Sequence, residues 1–219
     1  MHLTIIRNRN GMAEYIRIKN NKAESKIYDF NTVYEIPDSI LPSESIDIII
    51  TSPPYGDSRT TVAYGQFSRL SNQWLGLEEL NEVDRKCMGG IRKREIKNFG
   101  FEPLDKVLSR IAGIDKNRVY DVASFYLDYE KSINNISKVV KKGGIVAYVV
   151  GNRRVKGIEI PNDEITREFF ERNGFKHIKT IIREIPNKRM PKRNSPSNIA
   201  GVTDTTMNYE YIVILRKEE

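Results

Sequence analysis

Apolar residues along the chain fall into two kinds of run. Ile46-Asp47-Ile48-Ile49-Ile50, Ile145-Val146-Ala147-Tyr148-Val149-Val150, Lys176 to Ile185 and Tyr209 to Leu215 are short and rich in β-branched or aromatic residues, which predicts strands. The second of these has no polar interruption, as expected of a parallel-sheet strand buried on both faces. Val122, Tyr126, Tyr129, Ile133, Ile136 and Val140 recur instead at spacings of four and three, the stripe of an amphipathic helix. Lys141-Lys142-Gly143-Gly144 then reads as its basic last turn and C-cap. Asn162-Asp163-Glu164 is expected to cap a second helix running through Phe169 and Phe170 to Gly174.

At the N-terminus, Leu3-Thr4-Ile5-Ile6 and Tyr15-Ile16-Arg17-Ile18 flank Asn10-Gly11, a turn signal that predicts a hairpin extension over residues 1–24. Ser25 to Asn31 reads as a short strand with a polar end. Open α/β sheets bind ligands beyond the carboxyl ends of their strands, so Asp29 and Asn31 become candidates for cofactor contact or simply a solvated strand end with a turn-forming Asn.

Between residues 56 and 118 the periodicity weakens. A connection of that length inside an α/β domain is expected to be an insertion with its own, largely helical structure. It accumulates Arg59, Arg69, Arg92, Lys93 and Arg94 among Tyr64, Phe67 and Trp74, a mixture that suits phosphate contact and base stacking as well as a solvated helical surface. Asn152 and Arg153 follow the strand that ends at Val150, and Lys188, Arg189, Lys192 and Arg193 lie in a basic, proline-punctuated loop before the last strand. These are further candidates for contact with a phosphate backbone.

Composition narrows the classes. With 39% hydrophobic and 30% charged residues in 219, the chain holds one sizeable core, read as a single catalytic-type domain over residues 1–219. The formal net charge of +7 fits a polyanionic partner. Cys87 is the one cysteine, so neither a disulfide framework nor a zinc cluster arises from this chain, and a reducing compartment is expected. No apolar stretch approaches the ~20 residues of a membrane span, and Met1-His2-Leu3 opens no signal peptide.

The chemistry concentrates at Thr51-Ser52-Pro53-Pro54-Tyr55, directly after the first strand-like isoleucine run. Each proline fixes its φ near −65° and biases the preceding residue toward an extended conformation, so carbonyl oxygens and the Ser52 hydroxyl are aimed rather than mobile. An aromatic face beside a row of acceptors suits a planar ring bearing an amino group. Stacking on Tyr55 would hold such a base by roughly 1–3 kcal/mol. Acceptors that take the amine hydrogens would localise a lone pair otherwise delocalised into the ring.

At these residues the sequence resembles the DNA amino-methyltransferases, which transfer a methyl group from S-adenosylmethionine to N4 of cytosine or N6 of adenine. Their motif is Asp/Asn/Ser-Pro-Pro-Tyr/Phe, and the Ser form preceded by Thr is commoner among N4-cytosine enzymes. Pro42-Ser43-Glu44-Ser45 before the strand extends the likeness back to about residue 40, and the order of elements extends it over residues 119–217. The resemblance implies a Rossmann-like α/β sheet, a flipped base held by Ser52, Pro53, Pro54 and Tyr55, Thr51 beside the cofactor, double-stranded DNA as substrate, a restriction-modification context, and the nucleoid of a prokaryotic cytoplasm. RNA guanine-N2 enzymes share the motif with Asp first, which Ser52 argues against; a non-catalytic nucleic-acid-binding subunit is the other alternative. The family's glycine motif, Asp-Pro-Phe-x-Gly-Ser-Gly, has no counterpart in the sequence. This absence predicts an incomplete sheet and a second subunit that carries the glycine-rich motif.

Overall fold

The computed structural model describes residues 2–18, 24–56, 64–77, 82–185, 193–194, 204–205 and 207–219. In chain order the elements are α1 (His2–Ile18), β1 (Ile46–Thr51), α2 (Tyr64–Trp74), α3 (Val83–Lys86), α4 (Glu102–Ile114), α5 (Lys116–Val139) and β2 (Val140–Val150). They continue with β3 (Arg154–Val155), β4 (Ile158–Glu159), α6 (Asn162–Glu171), β5 (Phe175–Glu184), β6 (Arg193–Asn194), β7 (Asp204–Thr205) and β8 (Tyr209–Lys217). The main sheet is four-stranded in the order β1-β2-β8-β5. β1 and β2 are parallel, and β8 runs antiparallel to both β2 and β5. This is the expected α/β architecture, with β1 left at an edge.

One face of the sheet is covered by α5 and α6, with α4 packed against α5. Asp115 starts α5 by accepting the N–H groups of Asn117 and Arg118, at 3.1 and 3.0 Å. Its buried stripe includes Val119, Val122, Tyr126, Tyr129 and Ile133. These pack with Val146, Tyr148 and Val150 of β2 and Phe169 and Phe170 of α6 into a core containing several aromatic pairs. Phe125 and Tyr126 meet edge to face at 5.1 Å, an arrangement worth about 0.5–1.5 kcal/mol beyond its buried area.

The opposite face has no helix on it among the described residues. Strand register puts Ile48, Ile50, Ala147, Val149, Ile212 and Ile214 on that side. Ile48 and Ile50 are 58% and 76% exposed, whereas Val146 and Val150, which point the other way, are fully buried. The expectation that β2 is buried on both faces therefore holds for one face.

Several local expectations are corrected. Residues 2–18 form a helix in place of the hairpin. A two-stranded hairpin with nothing packed on it is marginal in water, while a helix satisfies its own backbone even with Gly11 inside it. Ser25 to Asn31 is irregular, and exposed as far as Asp29, since among the described residues no strand lies alongside. Lys141 to Gly144 caps no helix: Ile46 pairs with Val140 and Ile48 with Ile145, so those four residues bulge out of β2. Gly143 takes a positive φ of 73° there. Leu104, Val107, Leu108 and Ile111 of α4 are buried in the shared core, so this part of the stretch from 56 to 118 packs with the sheet-covering helices.

Candidate active site

β1 stops where the sequence says it must, because Pro53 and Pro54 have no N–H to continue a ladder. The residues that follow turn over the end of the neighbouring strand. Ser52 Oγ lies 3.1 Å from the Val149 carbonyl, to which it donates, and 3.1 Å from Tyr55 Oη. Tyr55 Oη in turn donates to Glu210 Oε1 at 3.2 Å. Arg183 of β5 pairs with Glu210, so the acid is held from its far side. β8 is antiparallel to β2, and its N-terminal end therefore arrives at the carboxyl ends of β1 and β2, carrying Glu210 to the motif.

Gly151 makes this packing possible. A Cβ at that position would lie 2.0 Å from Met207 Sδ and 3.0 Å from Tyr55 Cδ2. The absence of a side chain lets the Tyr55 ring and Met207 close over the end of β2. Gly56 follows at φ 76°, a conformation glycine adopts without strain. Burial pushes the Tyr55 phenol above its ordinary value; the Ser52 hydrogen bond acts downward and the Glu210 charge upward. The phenol is therefore neutral and keeps the hydrogen it donates.

Two hollows adjoin these strand ends. A cavity of about 480 Å³ is lined by Thr51, Ser52, Pro53 and Pro54 together with Ile49, Tyr148 and residues of α5, with Phe30, Thr32 and Met88 at other walls. A smaller one of about 180 Å³ is lined by Asn152, Arg154, Glu159, Met207, Tyr209 and Tyr211.

The other sequence candidates divide according to what binds them. Thr51 lines the larger cavity; Asp29 and Asn31 do not, although Phe30 and Thr32 beside them do. Asn31 is used locally, accepting the Val33 N–H at 2.9 Å and donating to the Lys86 carbonyl at 3.1 Å. Asp29, Arg69 and Arg94 are exposed. Arg92 makes a two-pronged ion pair with Asp121 at 2.6 and 2.8 Å, and Lys93 pairs with Asp128 at 2.7 Å, so both cations fasten their segment to α5. Asn152 occupies the start of α6, where its Oδ1 accepts the Asp163 N–H at 3.2 Å and its Nδ2 donates to Asp163 Oδ1 at 2.8 Å. It takes the capping role expected of Asn162, which is buried and instead accepts from Tyr126 Oη at 2.7 Å and donates to the Gly151 carbonyl. Arg153 is half-buried just beyond β2, and Arg193 begins the short strand β6. Arg59, Lys188, Arg189 and Lys192 lie outside the described residues.

Glu210, Met207 and Gly151 escaped the sequence reading. Tyr209-Glu210-Tyr211 did contain a signal, an acid at the entry of an otherwise apolar strand. Only the antiparallel pairing shows that it faces a tyrosine 155 positions away. Among the described residues no group of acidic, His and Cys side chains could hold a metal ion, and no helix is long and apolar enough to cross a membrane.

No family model matches the chain. Among solved structures it is similar to TTHA0409 from Thermus thermophilus, assigned as a DNA modification methylase, at 15% identity and a TM-score of 0.40, covering 83% of this chain and 50% of that one. The same protein complexed with S-adenosyl-L-methionine gives the same identity and TM-score, with 49% of its length covered. Among curated proteins, the chain is 38% identical over 226 residues to the Type II methyltransferase M.MvaI of Kocuria varians. That alignment takes in 97% of this chain and 50% of the relative, so nearly all of this chain is similar to about half of a type II methyltransferase.

Proposed function

We propose that this chain is the base-holding half of an S-adenosylmethionine-dependent DNA amino-methyltransferase with a Rossmann-like sheet. It acts on double-stranded DNA in a restriction-modification context and favours N4 of cytosine over N6 of adenine. The observation that carries this reading is the strand end: Ser52-Pro53-Pro54-Tyr55 leaves a parallel strand with Ser52 exposed and the Tyr55 hydroxyl held by Ser52 and Glu210. A base flipped from the duplex, at a cost of a few kcal/mol, would stack on Tyr55 while Ser52 and the Pro53 carbonyl take its amine hydrogens. Holding the amine in line with an electrophile lowers the barrier by orientation, without a covalent enzyme intermediate.

S-adenosylmethionine, when bound, supplies that electrophilic methyl group. The larger cavity fits one side of it. Its lining offers hydroxyls from Thr32, Thr51, Ser52 and Ser132 among apolar walls, but no carboxylate for a ribose diol or an ammonium group. With no glycine motif in the sequence, we assign the rest of the cofactor cradle to a second polypeptide. Among the described residues β1 has no neighbour on its outer edge, which supports that assignment, because an open strand edge invites pairing with another chain.

The test uses the protein in its own cells. Purification through a tag on this chain should bring down a second polypeptide, and mass spectrometry of genomic DNA should show N4-methylcytosine. Deletion of the gene should erase that mark, with return on complementation by the wild type and not by Ser52→Ala. Base modifications that are unchanged by the deletion would refute the reading.

A further inference from the structure

We propose that Glu210 completes a hydroxyl relay through Tyr55 and Ser52 that takes up the proton released by the target amine. Glu210 touches no substrate atom in this scheme. It is a positioning residue that acts through Tyr55, and the proposal rests on the amino-methyltransferase reading above.

The available hydrogens set the direction of the relay. A serine hydroxyl is a poor base unless its own hydrogen has somewhere to go. Glu210 as a carboxylate only accepts, so the single hydrogen of Tyr55 Oη is committed to Glu210 Oε1 at 3.2 Å. That leaves Tyr55 Oη as an acceptor at 3.1 Å for the one Ser52 hydrogen whenever it turns from the Val149 carbonyl, to which it otherwise donates. With its hydrogen directed inward, Ser52 Oγ presents lone pairs outward, where the residue is exposed. An exposed serine is thereby linked through two hydrogen bonds to a carboxylate whose side chain is only 17% exposed. The Val149 carbonyl lies equally close to Ser52 Oγ, at 3.1 Å, so rotation of one hydroxyl hydrogen opens or closes the first link. Arg183 keeps the carboxylate in place, and the high proton affinity of the half-buried phenol keeps the middle link loaded.

The balance of the step is simple. A bond forms between the exocyclic nitrogen and the methyl carbon while the carbon–sulfur bond of the donor breaks, the sulfur keeping the electron pair. The nitrogen becomes cationic and its N–H bond breaks toward Ser52 Oγ. The Ser52 hydrogen passes to Tyr55 Oη and the Tyr55 hydrogen to Glu210 Oε1. A neutral methylamino group and a neutral carboxyl remain, and the carboxyl then loses its proton to solvent.

The experiment uses enzyme purified from its own cells through a tag on this chain, assayed with labelled S-adenosylmethionine on DNA from the deletion strain. Glu210→Gln and Tyr55→Phe both keep size and ring, so each should lower kcat by about tenfold to a hundredfold with KM for DNA unchanged. The double variant should be no slower than either single one, because both cut the same relay. Ser52→Asp in the Glu210→Gln background should restore kcat to within a fewfold of wild type, since it places a carboxylate directly at the amine; a merely structural role for Glu210 predicts no such rescue. Single variants within twofold of wild type, multiplying effects, or failure of the rescue in a folded protein would overturn the relay and leave the functional reading intact. A wild-type preparation that transfers no methyl group to DNA would overturn that reading, and the relay with it.

Discussion

If a partner polypeptide extends the sheet at β1 and covers its open face, Ile48 and Ile50 should matter to association and not to the fold of this chain. The perturbation is the double substitution Ile48→Thr/Ile50→Thr, which keeps β-branched side chains while removing much of the apolar surface. Fully burying an isoleucine is worth about 1.5–3 kcal/mol. Ile48 and Ile50 retain 58% and 76% of their exposure here, so about 1–2 kcal/mol each is still available to a partner, or about 2–4 kcal/mol together. Every 1.4 kcal/mol is a factor of ten, so the pair should weaken association by about thirtyfold to several hundredfold. Urea unfolding of the isolated chain measures the internal effect, expected to stay within about 0.5 kcal/mol as for other exposed substitutions. Pull-down and titration with the co-purified polypeptide measure the external one. A loss above about 1 kcal/mol in the isolated chain would mean that these residues are already covered by its own segments. Unchanged association would remove the open face of β1 from the interface.

Other consequences are internal to the chain. Asp121 is 5% exposed and held by Arg92 and Arg118, so Asp121→Ala should cost about 1–3 kcal/mol in urea unfolding, mostly through Arg118, because the more exposed Arg92 regains water. Burial pushes the Asp121 carboxyl up, but its hydrogen bonds and charge pairing with Arg92 and Arg118 outweigh that and hold it below the ordinary value. A depressed folded value means its contribution is complete above the unfolded value near 3.9 and disappears as pH falls through the folded one; unfolding curves of wild type and Asp121→Asn should converge there. Tyr126→Phe should destabilise by about 1–3 kcal/mol in the same assay, because the buried Asn162 Oδ1 loses its 2.7 Å donor. Ultraviolet titration should place the Tyr55 transition, seen as wild type minus Tyr55→Phe, above the ordinary phenol value near 10; a transition below it would contradict the packing around Gly151 and Glu210.

Much of the protein was legible one residue at a time. Periodicity marks β2, β5, β8 and α5 because burial of one stripe imposes the period on the sequence, and two prolines after an isoleucine run mark the end of β1 whatever surrounds it. The Ser-Pro-Pro-Tyr motif is visible for the same reason: its stiffness is local and covalent. Near the N-terminus the turn signal Asn10-Gly11 misled, since whether a weak segment becomes hairpin or helix depends on what pairs with it. Caps were similarly ambiguous, and α6 takes its cap from Asn152, ten positions before the helix and across a strand end, because burial had already claimed Asn162 for Tyr126.

The sequence by itself determined where the strands and the principal helix lie and which strand end bears the chemistry, because those features follow from side-chain period and backbone stiffness. Tertiary structure alone decided the rest. Antiparallel insertion of β8 between β2 and β5 brought Glu210 to Tyr55 across 155 positions. The fold directed Arg92 and Lys93 to Asp121 and Asp128 of α5 and, among the described residues, left one face and one edge of the sheet uncovered. Such pairings depend on long-range register, which composition and periodicity do not encode.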